Sequence, residues 1–259
     1  MILGGAIDDR FALKPACQLT FQSVAAIILL AAKDTINHAN IPFVGLIYFA
    51  GWFNYMLSFI WIVLVINAFN WFDGLDGLAG GVGIIGMIVL FFLSLTPLVA
   101  QPQTAFLALV VAGSLVGFMY FNFSPAYLHL GSVGSGFVGL MLATLSIYAG
   151  GKVATALLIL GIPIIDFCYV VVCRALRGAY PWQGGDREHF HYWLLDRGWS
   201  AAHIVLLFYA ISGFFGILAL TLQTGVKIAA ILALVAIFLL FSLSFRGRVA
   251  KKTIDLPGS

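Results

Sequence analysis

Along the chain, uncharged and mostly apolar residues run together in stretches of about 18 or more, and the charged residues fall in the gaps between them. Eight stretches are long enough to cross a hydrocarbon core about 30 Å thick: 15–32, 45–66, 79–99, 104–122, 133–150, 153–173, 202–222 and 227–245. They lack the strict apolar–polar alternation of a lipid-facing barrel strand. Leu, Ile, Phe and Ala dominate them, and in lipid the backbone groups have to be satisfied within each span, so helices are predicted.

Composition fixes the class. With 62% hydrophobic and only 9% charged residues, against roughly 25% charged in a soluble domain, the chain reads as an all-α polytopic integral membrane protein of about eight transmembrane helices. Residues 1–259 form one membrane-embedded domain, with a loop at 174–201 and a tail at 246–259. Eight spans put Arg10, Lys14, Arg174, Arg177, Arg187, Arg197, Arg246, Arg248, Lys251 and Lys252 on one side, and Lys33, Lys152 and Lys227 on the other. The rule that basic residues stay inside makes the first side cytoplasmic. Nine of the ten acids lie on or near it, Asp34 being the exception, so chemistry is expected there. The net charge of +3 follows from this topology and implies no nucleic-acid partner. Cys17, Cys168 and Cys173 lack metal-ligand spacing and read as packing residues, and the opening MILGGAIDDR does not read as a cleavable signal peptide.

Four places on the cytoplasmic side carry unusual polar residues. Asp8 and Asp9 are adjacent carboxylates that repel unless a cation or proton relieves them; the plainer reading is a solvated pair that starts a helix. In NAFNWFDGLDGLAGG, residues Asn67, Asn70, Asp73 and Asp76 recur every three positions, a ribbon on one flank of a helix that the following glycines loosen or end. The stretch Phe121–Phe137 holds Asn122, His129 and a Gly-Ser run entering a span, which taken alone is an ordinary helix start. The longest gap, Arg174–Ala201, gathers seven of the 23 charged residues with His189 and His191; its cations suit phosphate oxygens or serve as membrane anchors. Asp166, inside a span, is a functional candidate by depth alone. Carboxylates with asparagines suit magnesium better than zinc. Such a pocket fits metal-assisted chemistry on a diphosphate with a lipid co-reactant, and composition alone also fits an ion-coupled transporter.

The motifs choose between these. NAFNWFDGLDGLAGG resembles the N-x-x-N-x-x-D-G-x-D-G-L-A signature of the polyprenyl-phosphate N-acetylhexosamine-1-phosphate transferases, bacterial undecaprenyl-phosphate branch. GAIDDRFALKP, PIID (163–166) and DREHFHYWLLDRG are similar to further motifs of that family in the same order. The resemblance implies transfer of HexNAc-1-phosphate, GlcNAc-type, from a UDP-N-acetylhexosamine to undecaprenyl phosphate with release of UMP, at the inner membrane of a bacterium, initiating cell-envelope polysaccharides such as cell wall or O-antigen. It implies Mg2+, with Mn2+ as a substitute, and membrane lipid as partner; one copy and a homodimer are both compatible with it. By carry-over, Asp8, Asp9, Asp73 and Asp76 are the catalytic set, with Asp9 and Asp73 at the metal. Asn67, Asn70, Asn122, His129, Asp166, Arg187, His189 and His191 line the substrates.

Departures from the pattern accompany the match. Ser132 stands where the family carries a magnesium-binding aspartate, His129 where an aromatic stacks on uracil, Tyr192 at the third histidine and Gln18 at a basic residue. The family has further spans before its aspartate pair, whereas Asp8 here follows seven residues, so a chain shortened at its N-terminus is expected. These differences open a second reading, a homologue that binds nucleotide sugar or lipid without turnover.

Overall fold

The computed structural model describes residues 1–41, 45–49, 51–150, 153–180 and 188–254, with side chains not described at 40, 41, 153, 224 and 243–254. Helix α1 (Ile2–Phe11) leads into α2 (Pro15–Leu30), a strand pair β1 (His38–Ile41) and β2 (Gly45–Tyr48), and then α3 (Trp52–Phe72) and α4 (Leu78–Leu95). There follow α5 (Pro102–Asn122), α6 (Gly131–Tyr148), α7 (Val153–Ile159), α8 (Gly161–Leu176), α9 (Phe190–Leu195), α10 (Ala201–Thr221) and α11 (Thr224–Ile254).

Among the described residues, six helices are long and apolar enough to cross a membrane: Trp52–Phe72, Leu78–Leu95, Pro102–Asn122, Gly131–Tyr148, Ala201–Thr221 and Gly225–Ser242. Two of the eight expected spans fall short of that length. The first is α2, whose 16 residues rise only about 24 Å. The sixth is divided at Leu160, which leaves α7 with 7 residues and α8 with 16. Pro163 sits in the first turn of α8, where its missing N–H costs no hydrogen bond. The backbone bonds Leu160 N to Ala156 O and Ile164 N to Leu160 O carry the chain through the division.

The second expected span moves along the chain. Residues 45–48 pair antiparallel with 38–41, His38 opposite Tyr48, instead of entering the helix. A short apolar run is read equally well as strand or helix, and here Phe49 N continues the ladder by donating to Asn37 O. Just before β1, buried Ile36 donates its N–H to Ser58 Oγ at 2.8 Å, which ties the hairpin to α3. As a result α3 starts at Trp52 and ends at Phe72, and it carries Asn67 and Asn70 within it.

The core lies between α3, α4 and α6, with Phe69, Phe72, Leu78, Met87, Leu142 and Leu145 fully buried. Small residues let the helices approach: a Cβ on Gly139 would lie 2.9 Å from Ile66 Cα, so α6 meets the backbone of α3 there. Trp61 of α3 donates to Ser146 Oγ of α6 at 3.0 Å. Helix α2 joins α3 through a reciprocal amide pair: Asn67 Nδ2 donates to Gln22 Oε1 at 2.6 Å, and Gln22 Nε2 to Asn67 Oδ1 at 3.3 Å.

Removing Asn67 strands the Gln22 amide, which is only 2% exposed. Asn67→Leu alone is expected to lower unfolding stability by about 1–3 kcal/mol. The double variant with Gln22→Leu should recover most of the loss, read as thermal midpoints in detergent across a double-mutant cycle. Additive losses would show that the two amides do not act as a pair.

Candidate functional site

At one end of the helix bundle, the turn from α3 to α4, the loop from α5 to α6, the end of α1 and the short α9 come together. The first of these is built by glycine. Helix α3 stops at Phe72, Gly77 takes φ +79, and α4 begins at Leu78. The Gly77 carbonyl accepts from Tyr209 Oη of α10 at 2.5 Å, and its N–H donates to Asn122 Oδ1 at 3.1 Å. Asn122 is buried and donates its amide to Leu128 O at 2.8 Å, so both ends of this side chain hold loop backbone. Asp76 accepts from Ala126 N at 3.1 Å, and His129, 78% exposed at its side chain, lies 3.6 Å from the same carboxylate.

The start of α6 holds the other carboxylates. Asp9 Oδ1 accepts from Ser132 N at 2.8 Å and Oδ2 from Val133 N at 3.2 Å, while the preceding amide, Gly131 N, bonds Asp73. Helix N-termini offer such N–H groups to anions, with a partial positive charge from the aligned dipoles. Glycines permit the approach: a Cβ on Gly5 would sit 2.6 Å from Val133 Cα, which brings α1 against α6. Asp73 is pushed up to about 7, first by burial and then by the neighbouring Asp9 and Asp76 charges, with the Gly131 amide pulling the other way.

Asp8 faces away from this cluster. Its Oδ1 accepts from Leu13 N at 2.9 Å and Gln18 Nε2 at 2.8 Å, which places it at the joint between α1 and α2. Asn67 is committed to Gln22 and to Val63 O. Asn70 is half-buried near the end of α3 and makes no side-chain hydrogen bond among the described residues. Arg187 lies outside the described residues.

The histidines reach the turn from α9. His191 is fully buried, its ring fills the space a Cβ on Gly74 would need, and neither ring nitrogen has a hydrogen-bond partner among the described residues. Burial lowers it to about 4, against the pull of Asp166 and with a further push from His189, so it is neutral at pH 7. His189 stacks on it, centroids 5.6 Å apart and planes 7° from parallel, and bonds Asp166 at 2.8 Å. Sequence reasoning missed three groups of the site. Tyr209 looks like any aromatic in an apolar span. Trp71 lies edge-on to His189 at 5.7 Å and carries the Arg174 guanidinium 5.1 Å above its ring. Glu188 pairs with both Arg174 and Arg177.

No group of three His, Cys, Asp or Glu that could hold a metal is found among the described residues. The donor set nevertheless suits a hard divalent ion, because magnesium takes one or two carboxylates together with substrate phosphates, and Asp73 is a half-buried carboxylate beside two others. Ser132 offers only a neutral oxygen near them.

The raised Asp73 value has a sign that can be measured. An acid whose folded value lies above its unfolded 3.8 contributes stability that is complete below 3.8 and lost as pH rises through about 7. Without divalent ions, stability should therefore fall between pH 4 and 7 by up to about 4 kcal/mol from this group. Asp73→Asn should flatten that slope, followed as thermal midpoint against pH in chelator; an unchanged slope would remove Asp73 as its source.

Against known proteins, the glycosyl transferase family 4 profile matches residues 1–150. A Bacillus subtilis (strain 168) protein named "Probable undecaprenyl-phosphate N-acetylglucosaminyl 1-phosphate transferase" is 33% identical over 231 residues, 87% of this chain and 64% of that protein. The Mycobacterium leprae decaprenyl-phosphate N-acetylglucosaminephosphotransferase is 32% identical over 232 residues, 79% of this chain and 58% of its own length. The Kosmotoga olearia phospho-N-acetylmuramoyl-pentapeptide-transferase is 32% identical over 151 residues, 54% of this chain and 46% of its own. The chain thus spans 58% to 64% of the first two of these relatives. With a profile match over more than half its residues and a relative 33% identical over 87% of its length, this chain belongs to glycosyl transferase family 4.

Proposed function

We propose that the chain transfers a GlcNAc-type HexNAc-1-phosphate from a UDP-sugar to undecaprenyl phosphate, releases UMP, and so initiates a cell-envelope polysaccharide. The observation that carries this reading is the meeting of Asp9, from α1, with Asp73 and Asp76, from the α3–α4 turn, beside the His189–His191 stack. The similarity to relatives named for N-acetylglucosamine supports the sugar, over longer stretches than the match to the muramoyl-pentapeptide transferase. The uneven distribution of Lys and Arg supports a site on the cytoplasmic face of a bacterial inner membrane.

In this reading an oxygen of the lipid phosphate attacks the sugar-side phosphorus, and the bond to the UMP oxygen breaks. Asp9 and Asp73 would hold the divalent ion, which supplies positive charge against the diphosphate as the leaving group departs. Asp76 and Asn70 line the nucleotide side. Asn122 shapes that side indirectly, by holding the Gly77 amide and the Leu128 carbonyl in place. His191, neutral and packed on Gly74, gives His189 a flat support. Asp8 and Asn67 anchor α2 to its neighbours, which keeps Asp9 aimed at α6.

Ser132 favours a second reading, in which the chain binds nucleotide sugar without turnover. Purified protein given radiolabelled UDP-GlcNAc and undecaprenyl phosphate separates the two: the transferase reading expects label in the lipid fraction, abolished by chelator and reduced at least 100-fold by Asp73→Asn. Nucleotide-sugar binding with no labelled lipid, at any magnesium concentration, would establish the second.

Two further outcomes follow from the same site. Magnesium should raise the thermal midpoint in detergent, since a ligand of the folded state stabilises by mass action, and Asp73→Asn should lose most of that rise. Ser132→Asp restores a strong oxygen donor at the start of α6, so half-maximal rate should be reached at lower magnesium with faster turnover. Equal or slower rates at every concentration would mean that the added charge only repels Asp9 and Asp73.

A further inference from the structure

Asp166 is 2% exposed within α8, and both of its oxygens are engaged by one short stretch of chain. Oδ2 lies 2.8 Å from His189 Nδ1, and Oδ1 accepts from Phe190 N at 2.9 Å. A single carboxylate therefore sets both the ring of His189 and the backbone that starts α9. The groups packed around that ring limit its freedom further: Trp71 edge-on, His191 stacked beneath, and Glu188 next in sequence, itself held by Arg174 and Arg177.

A carboxylate accepts hydrogen bonds, so the imidazole nitrogen facing it has to carry the proton. In neutral His189 that leaves the lone pair on Nε2. This nitrogen bonds none of the described residues and belongs to a side chain that keeps some exposure, 7% for the residue, whereas His191 is fully buried with both ring nitrogens partnerless among the described residues. Nε2 of His189 is therefore the ring nitrogen left without a partner among the described residues.

We propose that Asp166 is a positioning residue that locks His189 in the Nδ1–H tautomer and thereby makes Nε2 a proton acceptor for the phosphate that attacks. The lock is a property of the protein alone; the proton transfer rests on the transferase reading above. A phosphate monoester keeps its second proton up to about pH 6, so a fraction of lipid phosphate arrives as the monoanion. Its P–OH proton passes to Nε2, the freed oxygen pair forms the new P–O bond at the sugar-side phosphorus, and the bonding pair to UMP leaves with UMP. Asp166 touches no substrate in this scheme and acts only through the ring it holds.

Asp166→Asn gives an opposite outcome rather than a mere loss. The Asn carbonyl has to face Phe190 N–H, which puts the amide NH2 against His189 Nδ1. Nδ1 must then accept, and the ring proton moves to Nε2. The same inversion behind an intact geometry costs a serine protease about 10⁴-fold in turnover.

The test is nitrogen NMR of the full chain in detergent with labelled histidine, His189 being assigned by the signal lost in His189→Gln, alongside turnover with UDP-GlcNAc and undecaprenyl phosphate. The wild type is expected to show Nδ1 protonated and Nε2 bare, Asp166→Asn the reverse, with kcat down at least 100-fold and KM within about threefold. Asp166→Glu should restore the wild-type tautomer and part of kcat. A bare Nδ1 in the wild type, or an unchanged tautomer in Asp166→Asn, overturns the lock. Since the wild-type spectrum bears on the lock alone, an Asn variant that fails to fold does not rescue the proposal. An inverted tautomer with unchanged kcat overturns the role of Nε2. A wild type with the expected tautomer and no labelled lipid supports the lock while the transferase reading fails.

Discussion

Three successive backbone amides at the start of α6, those of Gly131, Ser132 and Val133, hold two carboxylates that come from separate segments, Asp9 of α1 and Asp73 of the α3–α4 turn. Like charges brought together at the edge of an apolar bundle repel, and each also loses hydration. The helix terminus offsets part of both costs, because its N–H groups have no partners within the helix and its dipole points positive end outward. Most of the site's geometry follows. Asp9 reaches α6 only because Gly5 lets α1 lie against it, and Asp73 only because α3 ends one residue earlier.

Around that junction the loops are held by side chains that bond backbone. Asn122, Asp76 and Tyr209 fasten the two loops and α10 to one another around Gly77. A second fastening, Asp166 to His189 and Phe190, sets α9 against α8. Asp8 and Asp166 thus only brace the scaffold, whereas Asp9, Asp73 and Asp76 are crowded together as well, Asp9 and Asp76 while also bonding backbone.

The apolar runs made the helical class legible, since length and lack of alternation suffice for that. They could not separate strand from helix at 45–48, where an apolar stretch satisfies its backbone by pairing with 38–41. The span therefore starts seven residues later and ends six residues later than expected, while the helical reading of Asn67 and Asn70 holds. The three-residue spacing from Asn67 to Asp76 described a ribbon that ends at Phe72, because the glycines break the helix before Asp73 and Asp76. Asp166 was legible from its depth, but its partner was not, since 23 residues separate it from His189. Tyr209 and Gln22 carried no signal, one being an aromatic in an apolar run and the other an amide beyond any motif.

The contact between Gly74 and His191 reads differently in the language of sequence space. The room that a methyl group would take at position 74 is already occupied by an imidazole from α9, more than a hundred residues further along the chain. The two positions share one volume, so neither can be varied as though the other were fixed. Hydropathy and charge are blind to such a pair, because what matters at 74 is the absence of atoms. A single substitution there meets a rigid ring in close-packed surroundings, and change becomes accessible only along the diagonal where one residue shrinks as the other grows.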